Sequence, residues 1–387
     1  MIKLLKNNYF FLLFLIPLFP HVSLNINRIH LDDIPIILYL FLFGIFSNKK
    51  EVIKNAKSLY PLLVFILFLS LQNIFLYNDS LNTEIFRYVF YLVLFIHMKT
   101  ISKDNKLSQN LPIYLFYFIS FFSILSYFLN INLGTDAYEY WNIGLNQNEW
   151  GFTVGRVNGF QAGGPNSFGD LICVLGLYSL TNVKPKFTPL IVVLSFVSCF
   201  FTYSRSSLLV LTFFMLFYLL QNSDWKNLGI LILSFLFVLN FGLLERFSSE
   251  EETEGIRDRI QMQTATADYL SDSNFTNILF GNGLNNIGVV NDSVGSIKSF
   301  DENLRVTGPH NSYLFFILKY GFIGFLLYIS IFYKFINIFI SNNLRDLFTN
   351  NIIFYIGAYL VLGLASDLLH NHTVVWLMYY YLHEINE

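Results

Sequence analysis

The chain is written as long apolar runs separated by short polar patches, as in "FFLLFLIPLF", "YLFYFISFFSILSYFL" and "YLFFILKYGFIGFLLYISIF". Roughly 20 mainly apolar residues form one helical crossing of a hydrocarbon core. Inside lipid only helices and closed barrels satisfy their own backbone. The composition agrees, with 54% hydrophobic and 13% charged residues, against about 25% charged in an average soluble domain. The sequence therefore predicts an all-α, polytopic membrane protein and excludes an ordinary soluble domain.

About twelve crossings are expected, near residues 8–24, 34–47, 59–77, 84–98, 111–130, 166–181, 187–203, 205–220, 227–244, 311–335, 351–368 and 373–384. The first carries Lys3 and Lys6 at its head but no small-x-small cleavage signal, so it reads as a retained helix. Basic residues set the orientation. With both termini cytoplasmic, the inner loops hold Lys49, Lys50, Lys54 and Lys57, then Lys99, Lys103 and Lys106, then Lys184, Lys186, Lys226 and Arg345. The short outer loops hold only Arg28. Residues 1–387 thus read as one integral membrane domain, with two long outer loops at 131–165 and 245–310. Long loops in a compact protein are usually functional or disordered.

The two cations are segregated. Lysines other than Lys298 and Lys319 gather inside, whereas Arg28, Arg87, Arg156, Arg205, Arg246, Arg257, Arg259 and Arg305 fall on or near the outer face and only Arg345 is inside. Arginine offers a planar, permanently charged fork that matches phosphate or carboxylate. An anionic ligand on the outer side is one reading; pairing with the loop acids Glu250, Glu251, Glu252 and Glu254 is the other.

Four stretches carry the candidate chemistry. "GRVNGFQAGGPNSFGD", Gly155 to Asp170, ends the first long loop; Asn166 or Ser167 is expected to cap the next helix, with Arg156 upstream. "YSRSSLL" holds Arg205 between two apolar runs, where an ionisable residue is a functional hypothesis or else snorkels to the surface. "IRDRIQMQTATADYL" is an expected amphipathic loop helix bearing Arg257 and Arg259, and the "GNG" of "LFGNGLNN" marks a tight turn. Finally "GPHN", ahead of a helix running to Tyr328, puts His310 and Asn311 at the outer boundary. Histidine exchanges a proton most easily near neutral pH. Lys319, inside that helix, either snorkels or faces a cavity. The chain has no HExxH, paired-cysteine zinc pattern or Walker loop, so neither a metal nor a nucleotide cofactor is expected. Cys173 and Cys199 lie in apolar runs and read as structural. Nothing points to nucleic acid.

"SRSSLL", the arginine-bearing loop helix, "FGNGLNN" and "HNSYLFFILKYGFIGFLLY", in that order, resemble the O-antigen ligase and O-antigen polymerase superfamily. The resemblance runs from about Arg156 to about Tyr328. It departs from the family pattern at Lys319, where relatives often carry an acidic or neutral residue, and at Met262, three residues after Arg259. The second departure leaves open which of Arg257 and Arg259 is functional. The resemblance implies a GT-C-like glycosyltransferase of the bacterial inner membrane, working at its periplasmic face without metal or nucleotide. The donor it implies is an undecaprenyl-pyrophosphate-linked oligosaccharide, and a chain-length regulator is an expected partner beside the membrane lipids. Arg156 and Arg205, with Arg257 or Arg259, then read as pyrophosphate ligands. His310 reads as the catalytic base, with Asn166, Asn311 and Tyr313 as glycan-binding or orienting groups. Polymerase is the first expectation and ligase the second. A lipid-linked oligosaccharide flippase, or an assembly component of an export complex, is the rival of another class.

Overall fold

The computed structural model describes residues 12–15, 33–77, 83–100, 106–129, 164–238, 250–283, 311–331 and 351–365, with the single residues 9 and 337. The regular elements among these described residues are all helical. In chain order the longer ones are α1 (Asp33–Phe46), α2 (Lys49–Ala56), α3 (Tyr60–Gln72), α4 (Thr83–Thr100), α5 (Lys106–Leu129), α6 (Gly164–Asn182) and α7 (Thr188–Phe201). They continue as α8 (Arg205–Gln221), α9 (Trp225–Val238), α10 (Glu250–Asp272), α11 (Phe275–Phe280), α12 (Ser312–Ile331) and α13 (Ile352–Leu362).

Apolar residues lie on both the inside and the outside of this bundle. α6 is its centre: Leu171, Ile172, Cys173, Val174 and Leu175 are fully buried, and α5, α7, α8 and α13 pack around it. A helix apolar all round belongs in such a position. The outward stripes are apolar too. On α5 these are Tyr114, Phe118, Phe121 and Leu125; on α8 they are Leu209, Phe213, Leu216 and Leu220. Both stripes step by four, three and four residues, the spacing of one helix face. A water-facing stripe would be polar, so these faces fit lipid.

With no hydrophobic driving force between helices in lipid, small and hydroxylated residues make the seams. Ser123 Oγ donates to the Ser198 carbonyl at 3.4 Å, and Ser198 Oγ donates to the Ser120 carbonyl at 3.2 Å, tying α5 to α7. A Cβ on Gly176 would come 2.5 Å from Ser195 Oγ, so α6 and α7 touch nearly backbone to backbone.

Two described helical stretches are long and apolar enough to cross a membrane, Asn110–Tyr127 and Ser312–Ile331. The second corrects the expectation of one continuous crossing over 311–335. Gly321 has φ 70° and ψ 179°, far from helical values. The ring centroids of Phe316 and Tyr328 are 4.4 Å apart, and those of Tyr313 and Phe325 are 6.3 Å apart. Residues twelve apart on a straight helix are separated by about 18 Å. α12 is therefore two limbs, Ser312–Tyr320 and Phe322–Ile331, folded against each other at Gly321. The first limb spans roughly 13 Å, less than half of a hydrocarbon core of about 30 Å.

A break inside a helix frees carbonyls, and buried carbonyls need donors. Here the donors come from elsewhere in the chain. Asn282 gives its backbone N–H (2.9 Å) and its side-chain amide (3.0 Å) to the Leu318 carbonyl. Gly283 N–H (3.1 Å) and Gln72 Nε2 (3.3 Å) both reach the Lys319 carbonyl. Gln72 also donates to the Phe280 carbonyl. The turn after α11 is thus seated on the break, with the end of α3 beneath both.

Candidate functional site

Arg205 stands directly after a three-residue reversal between α7 and α8. Thr202 Oγ1 donates to the Cys199 carbonyl at 2.7 Å and accepts the Ser204 N–H at 3.2 Å, while Tyr203 takes φ 53°. Ser204 occupies the N-cap of α8 but makes no side-chain cap bond there. Its hydroxyl lies 2.6 Å from the Ser207 hydroxyl instead, and Ser207 Oγ donates to Asp170 Oδ1 at 2.6 Å. Ser207 has one proton and gives it to the carboxylate, so Ser204 donates to Ser207. Asp170 is 1% exposed, on α6. The neighbouring Gly169 lets α6 close in, since a Cβ there would sit 2.8 Å from both Ser204 Cβ and Thr202 Oγ1. The result is a half-buried guanidinium at the start of a helix, where the backbone dipole also favours anions.

α6 begins at Gly164, so Asn166 and Ser167 lie inside its first turn rather than at the cap expected from sequence. Both are half-buried. Asn166 is one turn before Asp170, on the same side of α6. Arg156 lies outside the described residues.

The expected loop helix is α10, and "GNG" is a turn in which Gly281 and Gly283 both have positive φ. Met262 on α10 is buried against Leu318 of the first limb, with Ala265, Tyr269 and Leu270 around them. The departure from the family pattern at Met262 is thus a packing contact. Arg259, half-buried, is three residues before Met262 and shares its side of α10. Arg257 lies in the same helix; its side chain is outside the described set.

The first limb is pinned at its start. Asn311 Oδ1 accepts the N–H groups of Tyr313 (3.0 Å) and Leu314 (3.1 Å), a standard cap. Ser312 N–H donates to the Gly363 carbonyl (2.8 Å), and Tyr313 OH donates to the Leu360 carbonyl (2.6 Å). Asn311 therefore spends its oxygen on capping the limb, and Tyr313 spends its hydroxyl on holding the limb to the end of α13. His310, the preceding residue, lies outside the described set.

α13 also orients the other parts. Its first turn meets the far ends of α8 and α6, with Phe354 against Phe217 and Tyr218 and Tyr355 against Tyr178. The starts of α8 and α6 consequently lie toward the other end of α13, where the first limb begins. Arg205, Asp170, Asn166 and Asn311 thus share one end of the bundle.

Lys319 does not reach the surface of the bundle. It is 2% exposed, and its Nζ lies 5.4 Å from the centre of the Phe315 ring and 5.6 Å from that of Tyr320. Among the described residues, no three His, Cys, Asp or Glu side chains gather as metal ligands would. Sequence reasoning misses Asp170 and Gln72 as participants. Asp170 does leave a signal, a lone carboxylate in the apolar run "SFGDLICVLG".

Residues 190–329 match the family model described as O-antigen ligase. The match starts in α7 and ends in the second limb of α12, so it includes the Arg205 turn, α10, the "GNG" turn and the break at Gly321. No curated protein matches the chain.

Proposed function

We propose that this membrane protein, with its O-antigen ligase family domain at residues 190–329, polymerises lipid-linked oligosaccharide repeat units. The donor is a glycan on undecaprenyl pyrophosphate, and the acceptor is the sugar of a second such unit. The observation that carries the reading is the family match, which encloses an arginine held at a buried helix start. The finer architecture is part of the proposal: a GT-C-like bundle of about twelve crossings in the bacterial inner membrane, with both termini cytoplasmic and the site facing the periplasm.

In the reaction, the acceptor hydroxyl oxygen attacks the anomeric carbon. The bond from that carbon to the pyrophosphate oxygen breaks, and its electron pair leaves with the pyrophosphate. Arg205, with Arg156 and with Arg257 or Arg259, binds this leaving group. Its negative charge grows as the bond breaks, so the cations stabilise the transition state more than the bound donor. His310 takes the acceptor proton, help that is typically worth about 10²–10⁴-fold. Asn311 and Tyr313 fix the limb next to His310, and Asn166 offers an amide to the glycan. In-line attack inverts the anomeric centre. Neither metal nor nucleotide enters.

Ligase action, with lipid A-core as acceptor, is the second reading, because the matched family bears that description. One experiment separates them. Purified protein receives a single lipid-linked repeat unit, first without and then with lipid A-core. A ladder of longer glycans without core is the expected result. Product only after core is added assigns the ligase reaction. Labelled lipid crossing liposomes with no new glycosidic bond overturns both readings in favour of a flippase.

A further inference from the structure

We infer that Asp170 is a positioning residue for Arg205, acting through Ser207 and Ser204. The inference rests on the proposed role of Arg205 as a ligand of the leaving pyrophosphate. A carboxylate that is 1% exposed inside an apolar bundle is costly unless hydrogen bonds hold it. The Ser207 hydroxyl lies 2.6 Å from it, within the range of charge-assisted O–H···O⁻ bonds.

The direction of the relay matters. Asp170 takes the Ser207 proton, which obliges Ser207 to accept the Ser204 proton across 2.6 Å. Ser204 immediately precedes Arg205, and Ser207 is two residues after it, so the relay grips the helix start on both sides of the arginine. An N-cap serine would ordinarily turn its oxygen to the helix's own N–H groups; this one bonds the Ser207 hydroxyl instead, and Ser207 reaches the carboxylate on α6. Gly169, beside Asp170, removes the side chain that would hold α6 off the turn. The carboxylate, the two hydroxyls and the bare Gly169 backbone therefore determine one thing, the position of the first turn of α8.

An arginine that must meet a pyrophosphate needs its helix start fixed, because a misplacement of about 1 Å can cost 10²-fold in rate. Asp170→Ala removes the anchor and should lower kcat by about tenfold to a hundredfold with KM little changed. Asp170→Asn, whose oxygen can accept the same Ser207 proton, should restore most of that loss.

The deciding experiment is a double-mutant cycle on the purified, full-length protein with a lipid-linked repeat unit, run beside thermal unfolding. The expected result is that Asp170→Ala with Arg205→Ala is no slower than Arg205→Ala alone. Losses that multiply in full, or wild-type turnover by Asp170→Ala, overturn the inference while leaving Arg205 in its role. Should Asp170→Ala fail to fold, Ser204→Ala enters the same cycle with the same two outcomes. Wild-type turnover by Arg205→Ala removes the role of Arg205, and this inference with it.

Discussion

Arg205→Ala is expected to lower the rate of glycosyl transfer by about 10²–10³-fold, the scale for loss of one pre-organised transition-state charge partner. The guanidinium begins α8, in a reversal whose hydroxyls and backbone are already bonded to one another and to Asp170. Little reorganisation is then needed as charge develops on the leaving group. The loss should fall mainly on kcat, because the interaction strengthens as the sugar–pyrophosphate bond breaks. Arg205→Lys should recover little, since a point charge cannot reproduce a planar fork. The first helical position is tolerant of substitution, so the unfolding midpoint should move little. Steady-state kinetics on the purified variants test this, and Arg205→Lys working as well as the natural residue would remove the argument for bidentate phosphate binding.

The second large effect is expected at the crossing of two backbones. A Cβ on Gly321 would lie 2.3 Å from the Leu279 carbonyl oxygen and 2.4 Å from the Gly281 nitrogen. A Cβ on Gly281 would lie 2.4 Å from both the Gly321 nitrogen and the Lys319 carbonyl oxygen. The obstructing atoms are main chain, so no flexible side chain can yield. Both glycines also have positive φ, 70° and 77°, a conformation that costs other residues roughly 1–2 kcal/mol. Overpacking adds about 1–3 kcal/mol. Gly321→Val should therefore unseat the "GNG" turn from the break and free α10, with its arginines, from the first limb. Activity should fall to background, and the Asn282 and Gly283 amides should lose their hydrogen-exchange protection. Gly229→Ala is the control, because nothing lies within 4 Å of a Cβ there. Normal turnover by Gly321→Val would mean that the seat has no part in the site.

How much of this can be read from the amino acids differs by element. The all-helical architecture is legible because lipid leaves helices few alternatives, and the apolar runs state them directly. The turn at "GNG" is legible because positive φ is what glycine supplies at little cost. The break at Gly321 is not. In "LKYGFIGFLL" the glycine stands in an apolar context that a straight helix also tolerates, and nothing local announces the donors. They come from Asn282 and Gly283 and from Gln72, the last 247 residues away from Lys319. Such a device is visible only once tertiary contacts exist.

The site divides in the same way. Arg205 draws attention because a charge between two apolar runs is costly. Asp170 obeys that rule equally, but its partners Ser207 and Ser204 are 37 and 34 residues away, and each alone reads as an ordinary membrane-helix serine. Asn311 and Tyr313 stand out for their polarity; their oxygens cap a helix and tie it to α13. Lys319 is anomalous in the bare sequence; in the fold it is buried, with its Nζ near the Phe315 and Tyr320 rings of its own limb.

The most direct measurement of the central claim uses purified protein, undecaprenyl-pyrophosphate-linked repeat unit as the sole sugar source, and a chelator in excess. Free undecaprenyl pyrophosphate and lengthened glycan are quantified together by mass spectrometry. The account predicts one undecaprenyl pyrophosphate released for each new glycosidic bond, at a rate the chelator does not change. Bond formation that requires a nucleotide sugar or a divalent cation, or no bond formation from lipid-linked units with any acceptor, would contradict it.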